Sequence, residues 1–443
     1  MKLFGTAGIR GVTNIKITPQ LALEIGKAYG TLCGGKIAVA RDTRYGSEML
    51  ESALISGLQS TGVEVLRLGI VPLPVFARYV ADFADGGVIV TGSHTPPQIC
   101  GLVIVDSLGR DIYHDMERKI ESIYHKKEYR YAQWDRIKDT VYEDAVEHYI
   151  RFIESRVKNV SGFKIALDVA NGAAAGIWDR ILEYLGITVR CINCTRKHIP
   201  SRPSEPRKNT LTELAKITKG MDLGAGTDVD ADRVVFIAQN GAAVSEDVTG
   251  AIFAKRFARG KMVTPINSSM LIEEVASREG FEVIYCPVGP PEMAEAILKT
   301  GATFAYEETG KYLFPPDTLW GDSLLSILKI LEIMDREGKT LDELAKEFPE
   351  YHQMKVAVPV NGEMKYRIVE MVSEEIERKL IHDAVNIVKT DGIKIIFKDA
   401  WLLIRASGTE DVIRVFSDAK TEEIAKELVE YGSGLVKKVI RQL

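Results

Sequence analysis

Asp228, Asp230 and Asp232 occupy alternate positions in the run Gly-Thr-Asp-Val-Asp-Ala-Asp-Arg at residues 226–233. In an extended loop that spacing points all three carboxylates the same way. Three like charges held together are costly unless a cation sits among them. A hard divalent ion, which prefers oxygen ligands, is the natural partner; a solvated acidic turn is the plainer alternative. An EF-hand is a poor fit, because its sixth and twelfth positions would be Arg233 and Gln239 instead of Gly and Glu.

Three further loops carry chemistry. Thr91-Gly92-Ser93-His94-Thr95-Pro96-Pro97 directly follows an apolar run. A serine at a strand end, held by a turn and two prolines, suits a nucleophile or phosphoryl carrier, with His94 beside it. A polar turn is the competing reading, and there is no GxSxG elbow. Tyr306-Glu307-Glu308-Thr309-Gly310-Lys311 offers carboxylates and a hydroxyl to sugar hydroxyls, as a solvated turn also would. Arg405-Ala406-Ser407-Gly408-Thr409-Glu410-Asp411, with Arg414 beyond it, suits a phosphate dianion. More arginines sit in turn-prone settings: Arg10 in the glycine-rich residues 5–11, and Arg41 and Arg44. Arg10 is placed to stabilise a transferring phosphoryl group, with a surface salt bridge as the alternative. Nucleotide motifs fail: Gly224-Ala225-Gly226 meets Val229 where a third glycine belongs, and Gly30–Lys36 continues with Ile37.

The elements that position these loops follow from apolar patterning. The runs 36–40, 63–68, 87–90 and 102–105 read as buried strands, with helical patterns at 21–32 and 48–60 between them. Thr18 and Pro19 open the first helix. The rhythm recurs at 164–169, 173–185, 187–192, 211–218 and 222–225, and again at 262–266, 268–279, 281–286, 292–299 and 303–306. Such alternation implies mostly parallel sheets. The tail differs, with consecutive strands at 385–389, 393–397 and 400–404 and a final helix from Thr421 to about 441. The expected domains are 1–147, 148–246, 247–354 and 355–443.

With 443 residues, 46% hydrophobic and 27% charged, the chain suits several globular domains. Its net charge of −5 leaves no nucleic-acid footprint. No apolar run reaches the ~20 residues of a membrane span, and the opening residues hold no signal peptide. Five cysteines, an odd number, point to a reducing cytoplasm. The lone pair Cys191 and Cys194 reads as incidental spacing. The expected partner is a small molecule, for a monomer or homo-oligomer without nucleic acid or membrane.

In their order along the chain, Phe4–Gly11, Asp228–Arg233 and Arg405–Glu410 resemble the alpha-D-phosphohexomutase superfamily, over essentially the whole length. The resemblance implies three similar α/β domains with mixed sheets plus a C-terminal α+β domain around a central cleft. It also implies a Mg²⁺-dependent mutase moving phosphate between C1 and C6 of a glucose- or mannose-type hexose phosphate. Ser93 would be the phosphoserine and would hold Mg²⁺ with Asp228, Asp230 and Asp232. Arg10 and Arg233 would sit near the transferring group, and Glu307 and Thr309 would bind the sugar. Arg405, Ser407, Gly408 and Thr409 would bind its other phosphate. A sugar bisphosphate would be the intermediate and the activator. Three departures stand out. Thr95 replaces a common Asn, Val229 replaces a Gly between aspartates, and Val103 stands where the family commonly has an acid/base Lys. Lys311, where His or Gly is frequent, offers a cation in its place. Phosphoglucosamine or phosphopentose mutases, or a phosphosugar-binding paralogue with little mutase activity, are the alternatives.

Overall fold

In the computed structural model, which describes residues 3–378, 384–408 and 410–443, the first helix spans Pro19–Cys33. Thr18 Oγ1 caps it, accepting from Leu21 N at 3.2 Å, and Pro19 occupies the first helical position, where no N–H is needed. The chain divides into two units, Met1–Glu246 with Thr309–Ala345, and Asp247–Glu308 with Lys346–Leu443.

The first unit holds two mixed sheets. One has the order Ile9–Val12, Ile99–Asp106, Gly86–Val90, Lys36–Arg41, Glu64–Ile70, Val141–Tyr142. Lys36–Arg41 runs parallel to Glu64–Ile70 and to Gly86–Val90. Ile99–Asp106 returns antiparallel on Gly86–Val90 and carries Ile9–Val12 along its other side. One core packs Ile37, Val39, Val88, Val90, Leu102 and Ile104 with the helical Ile25, Tyr29, Leu54 and Leu58. Burying such side chains contributes about 1.5–3 kcal/mol each. The serine loop joins Gly86–Val90 to Ile99–Asp106, at the carboxyl end of a parallel strand, where open α/β sheets place ligands.

The second sheet orders Ala243–Val244, Val234–Ala238, Leu223–Thr227, Lys164–Asp168, Thr188–Ile192. Lys164–Asp168 is parallel to both Leu223–Thr227 and Thr188–Ile192. Leu223–Thr227 and Val234–Ala238 form an antiparallel hairpin, and the aspartate run is its connection. The helix expected over 173–185 spans only Trp178–Tyr184. Ahead of it the chain turns through Ala170 and Asn171, both at φ 52, and Ala173 N donates to Val229 O at 2.7 Å. That backbone supports the aspartate loop instead of continuing a helix.

In the second unit, Lys261–Pro265 pairs in parallel with Glu282–Cys286 and with Phe304–Glu307, flanked by helices Leu271–Glu279 and Pro290–Thr300. Its C-terminal part is an antiparallel sheet in the order His352–Pro359, Val412–Ala419, Ala400–Ala406, Ile393–Ile396, Asn386–Val388. Helices Lys365–Arg378 and Glu422–Ile440 accompany it, the latter capped by Thr421. Three α/β domains followed by an α+β domain are the architecture that the resemblance implies. No described helix is long and apolar enough to cross a membrane.

Candidate active site

Ser93 sits at φ 49 and is buried. A serine at positive φ is held by its surroundings. Arg44, equally buried, donates to the carbonyls of Ser93, Thr95, Pro96 and Ile99 and to the Thr95 hydroxyl. Asp42 accepts from Gly92 N at 3.0 Å, and Thr91 Oγ1 accepts from Ser93 N at 2.9 Å. The turn 41–44, marked in the sequence only as arginines in a turn-prone setting, thus supplies the frame of the serine loop. Its Arg-Asp-Thr-Arg composition was the available signal; Thr91 gave none.

The frame aims Ser93 Oγ at the aspartate loop, where it donates to Asp228 Oδ2 at 2.8 Å. Thr91 Oγ1 donates to Asp230 Oδ2 at 2.9 Å. One carboxylate oxygen from each of Asp228, Asp230 and Asp232 lies within 4.8 Å of the others, and all three residues are buried. The common aim arises differently from the expectation. The run is a tight hairpin connection with Ala231 at φ 59, not an extended strand whose alternation would align the side chains. Asp230 Oδ1 and Asp232 Oδ1 are buried and accept no hydrogen bond. Hard oxygen donors with unused lone pairs fit a divalent cation.

The electrostatics agree. Burial, then repulsion from Asp230 and Asp232, holds the Asp228 carboxyl well above the usual range. Burial works against charge on Asp232 too, but Lys311 and then Arg233 outweigh it and hold that carboxyl low. Lys311 Nζ lies 2.6 Å from Asp232 Oδ2. It is carried there because Val234 N donates to Gly310 O at 2.9 Å, tying residues 309–311 to the aspartate hairpin. Arg233 pairs with Glu205 at 2.9 Å, and its N–H donates to Asp228 Oδ1 at 3.3 Å. Arg10 enters over Gly101, its strand partner, where a Cβ would meet Arg10 Cγ at 2.6 Å. Burial lowers the Arg10 pKa, against the attraction of Asp230 and Asp232. Asp111, unmarked in the sequence, joins this neighbourhood; burial pushes its carboxyl up to about 6.

His94 Nδ1 stands 3.3 Å from Ser93 Oγ. Burial, then the charges of Arg233, Arg10, Lys311 and Arg44, push it down to about 2. Near neutral pH it is therefore an uncharged imidazole. Val103 is 3% exposed and lies opposite Ile89. Two residues from Gly101 on one strand, it shares the sheet face of Arg10. Thr309 Oγ1 is buried without a hydrogen-bond partner.

The other predicted residues belong to the second unit. Glu307 ends the strand Phe304–Glu307. Glu308 takes both of its oxygens to Lys355 Nζ at 2.8 Å and one to Asn267 Nδ2 at 2.8 Å. Arg405 Nε and Nη2 both donate to Asp391 Oδ2, at 2.8 and 2.7 Å. Asp391 thus fixes one edge of the guanidinium. Arg414 lies opposite Arg405 across the strand pair and binds Glu410. Ser407 Oγ accepts from Glu410 N at 3.2 Å, and Gly408 follows in the same turn. Thr409 lies outside the described residues.

Cys191 and Cys194, read as incidental, are joined by a disulfide with Cα atoms 6.0 Å apart. The spacing becomes a bond because Asn193, at φ 53, turns the chain back after its strand.

Comparison with known proteins matches this arrangement. Four family models fit the chain in order: the phosphoglucomutase/phosphomannomutase alpha/beta/alpha domains I, II and III at residues 1–131, 141–241 and 245–351, and the C-terminal domain at 356–431. A phosphoglucomutase/phosphomannomutase of Thermococcus kodakarensis is 39% identical over 99% of both chains. A phosphopentomutase of the same organism is 36% identical over 100% of this chain and 99% of its own. The crystal structure of a phosphomannomutase from Thermus thermophilus, itself described as putative, superposes with a TM-score of 0.81 at 26% identity, covering 98% of each chain. The chain belongs to the phosphoglucomutase/phosphomannomutase family within the alpha-D-phosphohexomutase superfamily, a group of intramolecular phosphotransferases.

Proposed function

We propose that this protein moves a phosphoryl group between C1 and C6 of a glucose- or mannose-type hexose phosphate, with Ser93 as the phosphoryl carrier. The observation that carries the reading is Ser93 Oγ at 2.8 Å from Asp228, inside a buried cluster of three aspartates. Phosphoserine gives its phosphoryl to a sugar monophosphate. The bisphosphate so formed turns over and returns its other phosphoryl to Ser93, and added bisphosphate primes the enzyme. Mg²⁺ held by Asp228, Asp230, Asp232 and the phosphorylated Ser93 would offset charge on the transferring oxygens. Arg10 and Arg233 add fixed positive charge beside the same oxygens. His94, being neutral, shapes the loop and adds no charge. Glu307 and Thr309 bind sugar hydroxyls, and Arg405, Ser407, Gly408, Thr409 and Arg414 bind the phosphate that stays. Lys311 supplies the ammonium that Val103 does not.

Val103 favours a second reading, a phosphosugar-binding paralogue with little mutase activity. Positioned proton transfer is typically worth about 10²–10⁴-fold in rate. A coupled assay against glucose, mannose, glucosamine and pentose phosphates, with Mg²⁺ and a trace of bisphosphate, separates the two. Ordinary turnover on a hexose phosphate that collapses in Lys311→Met supports the mutase with Lys311 as the substitute cation. No turnover on any phosphosugar, in wild type or in Val103→Lys, would shift the reading to the paralogue.

A further inference from the structure

We propose that the Cys191–Cys194 pair is a thiol–disulfide site whose state sets how tightly the aspartate loop holds its cation, with Arg202 as the positioning residue between them. This rests on the metal-binding reading of Asp228, Asp230 and Asp232. Both cysteines are half-buried at the end of the strand Thr188–Ile192, within reach of a small thiol. The disulfide closes a small ring that contains Asn193, which sits at φ 53.

Two routes run from that ring to the aspartates. In the first, Asn193 Nδ2 donates to Asp168 Oδ2 at 2.9 Å, and the same oxygen accepts Arg202 Nε at 3.0 Å. Arg202 Nη2 then donates to the carbonyl of Thr227 at 2.6 Å, one residue before Asp228. Asp168 and Arg202 are both nearly inaccessible to solvent, so neither has water as a substitute partner. In the second, Asn193 O accepts from Asn171 N at 2.7 Å, and the next residue, Gly172, lies against Val229 between two of the aspartates. A Cβ at Gly172 would strike the Val229 carbonyl, so the contact is direct.

Reduction by a dithiol breaks the sulfur–sulfur bond. Two electrons and two protons pass to the cysteines, and the reductant leaves as its own cyclic disulfide. Asn193 is then free to leave its left-handed conformation, and both routes slacken. Groups behind metal ligands are typically worth 10–100-fold in metal affinity, so reduction weakens Mg²⁺ binding on the order of tenfold.

The test uses the full chain with Mg²⁺ as the probe. Mass spectrometry after alkylation counts thiols, and calorimetry measures Mg²⁺ affinity, in protein oxidised with glutathione disulfide and in protein reduced with dithiothreitol. The expected result is two alkylated cysteines fewer in the oxidised form, together with about tenfold tighter Mg²⁺ binding. Asn193→Ala should keep the disulfide and lose most of the difference. The double variant Cys191→Ser/Cys194→Ser should bind like reduced protein in both buffers. Five alkylated cysteines after oxidation, or equal affinity in the two states, overturns the proposal alone. An undiminished difference in Asn193→Ala overturns it too. Absence of Mg²⁺ binding in either state overturns it together with the metal reading.

Discussion

At the scale of single residues, the account turns on charged groups whose partners leave part of their binding capacity unused. Asp230 Oδ2 is taken by Thr91, while Oδ1 is buried with nothing to accept. Asp230→Asn keeps the shape and removes one negative charge from the cluster. We expect Mg²⁺ affinity to fall at least on the order of tenfold, with turnover falling in step. Calorimetry and steady-state kinetics check this, and unchanged values in both would remove Asp230 from the site. Arg405 presents the planar fork that suits a phosphate, with Asp391 fixing one edge. Arg405→Ala should lose about 1.5–3 kcal/mol of binding to phosphorylated sugars, with free sugars unaffected. Equal losses for the two ligand sets, measured by titration calorimetry, would place Arg405 outside the phosphate site.

At the scale of elements, the serine loop depends on one side chain. Arg44 is buried against Asp42 and spans the loop carbonyls from Ser93 to Ile99. Breaking a buried pair of this kind costs about 3–5 kcal/mol. Arg44→Met should therefore lower stability to denaturant by that amount and raise amide exchange across 91–99. Exchange confined to other segments would show that the loop holds itself. Much of this element structure was legible in the sequence. Short apolar runs marked the parallel strands, Thr18-Pro19 marked a helix start, and the serine, aspartate and arginine loops were each found where a strand ends. What escaped was set by long-range contact. Residues 173–177 have helical composition, yet Ala173 N bonds to Val229 O and the residues after it form turns. The strand His352–Pro359 carries the polar side chains of an edge and no clean alternation. The role of Arg44 was not legible, because nothing local distinguishes an arginine that binds phosphate from one that binds carbonyls.

At the scale of the whole molecule, the second unit contains a buried charge with a pH signature. Lys394 is fully buried between the rings of Tyr285 and Trp401, 4.1 and 4.5 Å from their centroids, and its Nζ makes no hydrogen bond. Burial lowers its pKa from 10.5 to about 7, against the pull of Glu273, Asp418 and Asp247. Below pH 7 the folded and unfolded states both hold this proton, and the group contributes no slope. From about 7 to 10.5 the unfolded chain holds a proton that the folded chain has released, so stability rises with pH. Lys394→Met lacks that rise. Its advantage over wild type in urea unfolding should be greatest below pH 7 and shrink as pH increases. A gap that stays constant with pH would show that Lys394 keeps its charge when folded. The central claim, that Ser93 carries the phosphoryl group, is tested most directly by following Ser93 through turnover with intact-mass measurement and peptide mapping. The account predicts a single phosphate on Ser93 after incubation with a hexose bisphosphate, its loss on adding excess hexose monophosphate, and no labelling or turnover in Ser93→Ala. Full-rate turnover with Ser93 unmodified throughout the cycle would contradict it.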